Sequence, residues 1–450
     1  MHLSALVSGK RFSRGVAVPE FKEGTCHLAI RRLPFAPMLI VPLSQHTGAP
    51  AVAIVREGQE VVRGEPIARP GGFLSVPMHA PATGRVEKIA LAHSARGDLT
   101  PAIYIKPYAG ASQEILYGAP QDIEQMTPAE IVRAVQATGV VGLGGAAFPT
   151  HVKMELPPGK TVDTVVANGC ECEPYLTADH RVMLEQPRQV VAGVRIAMRA
   201  LNAPRAVIGV EDNKPDAIEA LRQATEAAVD ITVESVPTRY PQGAERILLR
   251  ILLSREIPSG GLPADIGAAV FNVATLAQIG ELLPRQQGLI ERVVTIAGPG
   301  VAKPGNYLTP IGTPLGWALE QAGCVPDIAE VVLGGPMMGP AISSLEVPLT
   351  KGVTGILALT RREVNGGSRI WPCIHCGACV DACPMRLNPS RLGMLARKDR
   401  YSEMEADFHL IDCFECGSCS YVCPSHIPLV QYFRVAKQMN RERKARACQQ

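Results

Sequence analysis

No stretch of this chain approaches the roughly eighteen consecutive apolar residues that a membrane span requires. The longest candidates, Gly139–Phe148 and Gly267–Gly280, are short, rich in glycine or interrupted by polar side chains. Met1–Gly15 carries Lys10, Arg11 and Arg14 and has no apolar run of signal-peptide length. Together these absences predict a protein that is soluble by itself, in a reducing compartment. Charge of one sign is equally scarce. The 45 Lys and Arg against 42 Asp and Glu leave a formal +3, too even a balance to suggest a nucleic-acid binder. A disulfide framework is not expected either, because the chain is long and its thirteen cysteines are an odd number.

Lysine is missing from the whole of Ala51–Val86. From Pro42 the sequence breaks short β-branched runs with Gly and Pro every eight to twelve residues, the pattern of a compact all-β unit. Its halves VREGQEVVRGEPIA and VPMHAPATGRVEKI look like the two hammerheads of a lipoyl/biotinyl-type sandwich. A swinging-arm carrier of that type needs a lysine at the hairpin tip, so a structural or docking domain is expected here, with His46 a structural histidine.

What the chain does have is cysteine in two matching runs. Cys373, Cys376, Cys379 and Cys383-Pro384 follow C-x2-C-x2-C-x3-C-P, and after twenty-eight further residues Cys413, Cys416, Cys419 and Cys423-Pro424 repeat it. In this bacterial ferredoxin pattern three thiolates wrap one corner of an iron–sulfur cube and the fourth cysteine ligates the other cluster. Cys373, Cys376, Cys379 and Cys423 are therefore assigned to one [4Fe–4S] cluster, and Cys413, Cys416, Cys419 and Cys383 to a second. A zinc site would use two CxxC pairs and leave the third and fourth cysteines of each run without a role.

Between sandwich and cysteines the pattern alternates. Thr127-Pro128-Ala129-Glu130 is a helix start with a capping box, running to about Thr138. It leads into Gly142, Gly144, Gly145, Phe148 and Lys153, a loop without side-chain bulk that suits close approach to a phosphate and a flat ring, or simple tight packing. Gly142, Gly144 and Ala147 satisfy GxGxxA, but after a helix rather than a strand, so the dinucleotide fingerprint is weak. A strand over Thr161–Ala167 then runs into Asn168, Glu171 and Glu173, where open α/β sheets place ligands. Cys170 and Cys172 read as pocket-lining. Helices over Arg188–Leu201 and Pro215–Ala228 alternate with strands over Ala206–Val210 and Ile231–Val236, which predicts a parallel sheet. Another helix is expected to open at Tyr240 and run through Leu253, and Asn272 and Thr275 sit polar in an apolar frame that demands hydrogen-bond partners. Arg292–Cys324, continued by Glu330–Gly339, resembles the soluble-ligand-binding β-grasp (SLBB) module. Tyr432–Gln450 is a basic helical tail, read as a solvated face.

The segments GVVGLGGAAFPTHVK, NGCECEPYLTADHR, YPQGAE and PSGGLPADIGAAVFNVAT are similar in order and spacing to the flavin- and NADH-binding subunit of respiratory complex I. With PLSQHTGAPA before them and two cluster motifs after, nearly the whole chain resembles the C subunits of Rnf (Rsx) electron-transport complexes. The resemblance implies a multidomain α/β protein: a barrel-sandwich hybrid over 1–118, a Rossmann-like FMN/NADH domain over 119–290, an SLBB module over 291–360 and an α-helical two-[4Fe–4S] ferredoxin-type domain over 361–450. Carried over by residue, it places FMN against Gly142, Gly144, Gly145 and Lys153, with Asn168 and Glu171 on its polar edge and Asn272 and Thr275 completing the contacts. Phe148 would stack on the nicotinamide or the adenine of NADH and Glu173 would sit near the dinucleotide.

No protein residue then needs to act as acid, base or nucleophile, because hydride and electron chemistry belong to the cofactors. The resemblance further implies membrane subunits and a ferredoxin-like B subunit as partners. It also implies ferredoxin or flavodoxin as a partner of the complex, coupling to Na+ or H+ movement, no nucleic acid, and a peripheral place on the cytoplasmic face of the bacterial inner membrane. Three other readings stay open at this point. They are a soluble cobalamin-reductase-type flavin/iron–sulfur protein, a non-catalytic electron-wire subunit, and the homologous subunit of the sodium-pumping quinone reductase, which lacks these clusters.

Overall fold

The computed structural model describes residues 14–364 and 369–447. Lys10 and Arg11, part of the polar connector after Arg361 and the last three residues of the tail lie outside the described residues.

The β-rich N-terminal unit is two antiparallel sheets. Leu39–Pro42, Leu99–Pro107, Gly84–His93 and Glu60–Val61 form one, and Val52–Ala53, Pro66–Arg69 and Met78–His79 the other. Val41, Val61, Ile67, Met78, Val86, Ile103 and Ile105 close the space between them. The next helix is Pro128–Ala137, and its start carries the expected reciprocal cap: Thr127 Oγ1 accepts from the Glu130 N–H, and the Glu130 carboxylate accepts from the Thr127 N–H at 2.8 Å.

Four parallel strands make the central sheet, in the order Ile231–Val236, Arg205–Glu211, Thr164–Gly169, Ala268–Asn272. The strand expected over Thr161–Ala167 starts later, because Asp163 and Thr164 first bond the Gly267 carbonyl and pairing begins only at Thr164. The strand consequently delivers Asn168 and Gly169 at its very end. The helix expected from Tyr240 begins instead at Glu245. Tyr240–Ala244 is a turn, closed by the Ala244 N–H on the Pro241 carbonyl at 3.1 Å.

Helices Pro187–Leu201 and Val273–Leu282 cross at close range. A Cβ on Gly193 would stand 1.9 Å from the Leu276 carbonyl oxygen, and one on Gly280 would stand 2.1 Å from that of Gln189. The helices can only approach this closely because neither position has a side chain. Gly193→Ala should force them apart and cost about 2–3 kcal/mol, read as a lower denaturant midpoint with unchanged m-value.

The β-grasp sheet runs Gly305–Pro310, Glu291–Ala297, Gly355–Thr360, Ile328–Leu333, Ala341–Ile342. Arg31–Arg32, far upstream, adds a parallel edge strand beside Gly305–Pro310. The last unit is helical, its core formed by Leu392, Leu395, Met404, Leu410, Phe433 and Ala436. Its closing helix is Leu429–Ala447. The basic tail is only partly a solvated face: Arg434 and Lys437 both pair with Glu415, at 3.1 and 2.9 Å, and Lys444 pairs with Glu405. Arg441, Arg443 and Arg446 remain exposed. Among the described residues no helix is long and apolar enough to cross a membrane.

Candidate functional site

The first three units meet at the glycine loop. Gly142 donates to the Phe148 carbonyl at 2.8 Å and Ala147 donates back to Gly142 at 3.1 Å, folding Gly142–Phe148 into a closed loop with Gly144, Gly145 and Ala146 on its exposed rim. Each flank is held by a different unit. From the sandwich, the Thr47 N–H donates to the Ala147 carbonyl at 3.2 Å. From the helix after the fourth central strand, Thr275 Oγ1 accepts the Leu143 N–H at 2.8 Å. From the β-grasp unit, the buried Arg292 guanidinium donates to the Leu143 carbonyl at 3.1 Å and also to the Lys351 carbonyl. Lys351 is itself buried and donates to the carbonyls of Pro77 and Gly139 at 2.9 and 2.7 Å, while its N–H reaches Gln45 Oε1. Burial pushes the Lys351 ammonium down to about 7 and the Arg292 guanidinium down to about 10. Sequence alone assigns no chemistry to the β-grasp unit and misses both residues. Their partners are backbone carbonyls far away in the chain, which leave no local pattern. His46 meets the Ala49 carbonyl and Ser75 Oγ, as a structural histidine would.

The polar residues beside the loop form a linked set. Asn272 caps its helix by accepting the Thr275 N–H at 3.2 Å and donates to the Asp179 carboxylate at 2.6 Å. Glu171, buried, accepts the N–H groups of Asp179 and His180 at 3.0 and 3.1 Å, at the start of the helix Ala178–Glu185. Asp179 is pushed up to about 7, first by burial and then by the neighbouring Glu171. Asn168 bridges the Gly243 carbonyl at 2.8 Å and the Cys170 N–H at 3.1 Å. The structure thus brings Gly142, Gly144, Gly145, Asn272 and Thr275 together. Thr275 bonds the loop itself, while Asn168 holds the backbone at Gly243 and Cys170, Glu171 that at Asp179 and His180, and Asn272 that at Thr275.

Phe148, which closes the loop, also lines a cavity of about 530 Å³ together with Lys153, Glu245, Leu262 and Phe73, among others. Lys153 Nζ pairs with Glu245 at 3.0 Å and donates to the Val270 carbonyl. Glu173 does not line this cavity. It turns the other way, against the β-grasp loop Gly334–Gly339, where one carboxylate oxygen accepts the Met337 N–H at 3.0 Å and the other is buried without a partner. Burial pushes it up to about 7.

The two cysteine runs interleave. Cys373, Cys376, Cys379 and Cys423 line one cavity, and Cys383, Cys413, Cys416 and Cys419 line another. Four thiols around each cavity fit a [4Fe–4S] cluster. Burial, followed by neighbouring thiols, pushes Cys419 upward. Burial pushes Cys413 to about 11.

The second cavity faces the central domain. Tyr240 Oη donates to the Cys416 carbonyl at 2.6 Å, and Tyr240, Cys172, Met337 and Cys416 pack in one apolar cluster. Gly417 abuts the Met337 carbonyl. The first cavity faces outward, with Cys376 exposed beside Ile374 and Trp371, which are 67% and 49% exposed. Cys170 and Cys172 are packed in the domain, and burial raises both thiols.

Family comparisons follow the same order along the chain. Residues 10–109 match the RnfC barrel sandwich hybrid domain, 135–281 the Nuo51 FMN-binding domain, 293–341 the SLBB domain and 372–427 the 4Fe-4S dicluster domain. The C subunit of the proton-translocating ferredoxin:NAD(+) oxidoreductase complex of Clostridium ljungdahlii is 44% identical over 96% of this chain and 94% of its own length. This chain belongs to that family of C subunits. Its counterpart in the Na(+)-translocating ferredoxin:NAD(+) oxidoreductase complex of Acetobacterium woodii is 41% identical over 95% of this chain and 96% of its own length. The family also includes longer members. The corresponding subunit in the ion-translocating oxidoreductase complex of Pseudomonas aeruginosa is 42% identical over 96% of this chain, which spans 56% of that relative. The multidomain α/β architecture, the FMN-binding domain and the two-cluster domain are thereby shown.

Proposed function

We propose that this chain is the electron-entry subunit of an ion-translocating complex, exchanging electrons between NAD(H) and a one-electron partner through FMN and two [4Fe–4S] clusters. The observation that carries this reading is the position of the glycine loop. It has the Phe148–Lys153–Glu245 cavity on one side, and the cavity of Cys383, Cys413, Cys416 and Cys419 joins the same domain through Tyr240. Bound FMN supplies the conversion between a two-electron hydride and single electrons.

The chain's own residues do the holding. Gly142, Gly144 and Gly145 leave room for a flat ring, while Arg292, Lys351, Thr275 and Thr47 fix the loop's backbone so that the bed is formed before a ligand arrives. Asn168, Glu171 and Asn272 shape its polar edge, and Lys153 offers a cation to a phosphate on the cavity side. Phe148, between bed and cavity, keeps water from the junction. Cys373, Cys376, Cys379 and Cys423 hold the outer cluster, and Cys413, Cys416, Cys419 and Cys383 the inner one. The division at 118, 290 and 360 separates sandwich, flavin, β-grasp and cluster units.

Its relatives are named as subunits of ion-translocating complexes, and this chain would work as a peripheral subunit, on the cytoplasmic face of the inner membrane, with membrane subunits carrying the ion. Electrons would leave from the Cys376 side, where the exposed Ile374 and Trp371 can meet a ferredoxin-like subunit. Anaerobically purified protein should contain about eight irons and about one FMN per chain. Eight irons with no flavin would leave only an electron wire and overturn the reading.

A further inference from the structure

The geometry points to Phe73, a residue of the N-terminal sandwich, as a wall of the dinucleotide cavity that stacks on the adenine of NAD(H). The inference rests on the reading of that cavity as the NAD(H) site, and it gives the sandwich a part in nucleotide recognition.

Phe73 stands at the tip of the loop Pro70–Ser75 and is 60% exposed, yet its backbone is fixed on both sides. Before and after it, the Gly71 N–H donates to Ser75 Oγ at 2.9 Å, and that hydroxyl meets His46 at 3.2 Å. At Phe73 itself, the carbonyl accepts from His151 Nε2 at 3.0 Å, and the two rings meet edge to face with centroids 6.2 Å apart. His151 belongs to Thr150–Met154, the short helix that also carries Lys153 into the cavity. The link therefore ties the sandwich loop to the cavity wall. An exposed phenylalanine on a mobile loop would be unremarkable. Held rigidly at a cavity mouth, it presents an apolar face with nothing to cover it.

The cavity's other described walls are mostly aliphatic: Val152, Leu156, Leu262 and the prolines around them. Phe73 and Phe148 are its two aromatic residues, contributed by different units. At the Gly144 side a nicotinamide has the flavin face to stack on. The adenine is then left to the cavity's aromatic residues, where Phe73 offers an exposed face in addition to Phe148, and stacking of a base on an aromatic side chain suits it.

The test measures binding, without turnover, on the full flavin-loaded protein. Titration calorimetry with ADP-ribose and with NAD+ on wild type, Phe73→Ala and Phe73→Trp should show both ligands weakened about tenfold in Phe73→Ala. Phe73→Trp should restore affinity, and its added tryptophan emission should be quenched on ADP-ribose binding. FMN content should be equal in all three. Unchanged ADP-ribose affinity in Phe73→Ala, with wild type binding normally, overturns the inference and leaves the site intact. Weakening of NAD+ alone overturns the adenine assignment. Failure of wild type to bind either ligand defeats the underlying reading of the cavity.

Discussion

Gly144→Val is expected to yield a protein that keeps both clusters and retains less than about a tenth of the wild-type FMN. A Cβ at Gly144 would already stand 3.3 Å from the Asn272 side chain. Asn272 cannot give way easily, because it caps the helix Val273–Leu282 and holds the Asp179 carboxylate. Two further methyl groups would then project from the rim of the loop into the space a flat ring needs. The cluster unit has its own core around Leu392, Met404 and Phe433 and takes no part in that clash. Flavin released by denaturation and iron per chain give the two readouts. Normal FMN retention in this variant would move the flavin away from the glycine loop.

Cys416→Ala and Cys376→Ala should differ sharply, although each removes one ligand of one cluster. Cys416 lies on the inner cavity, bonded through its carbonyl to Tyr240, whereas Cys376 lies on the exposed outer one. If electrons pass the inner cluster first, Cys416→Ala should slow NADH reduction of the remaining cluster by at least about a hundredfold, while flavin bleaching stays fast. Cys376→Ala should leave reduction of the inner cluster near the wild-type rate and abolish transfer to a partner protein. Rapid-freeze EPR after mixing with NADH separates the cases. Equal reduction of the surviving cluster in both variants would contradict an inner-then-outer order.

The parts of the architecture written in local spacing were legible from the sequence. Thiols spaced to wrap a cube announce themselves, and so does a glycine loop, because both depend on neighbours within a few residues. Thr127 and Glu130 gave a helix start correct to the residue for the same reason. What escaped depends on distant partners. Arg292 and Lys351 are ordinary basic residues until folding buries them against carbonyls contributed by other units. Glu173 follows the central strand, and its carboxylate bonds the β-grasp loop at Met337, 164 residues on. The turn at Tyr240–Ala244 likewise departs from the helical pattern because its tyrosine is pulled to Cys416, 176 residues away. Phe73 sits among Gly and Pro in a sandwich loop, and nothing within its own unit hints at the cavity it borders.

The most direct test of the account is anaerobic stopped-flow mixing of the holoprotein with NADH, followed at the flavin and iron–sulfur absorbances together. The account predicts that the flavin band bleaches first and that the cluster band follows, with no cluster reduction in flavin-free protein. Cluster reduction by NADH in protein stripped of FMN, or a flavin that NADH leaves oxidised, would contradict it.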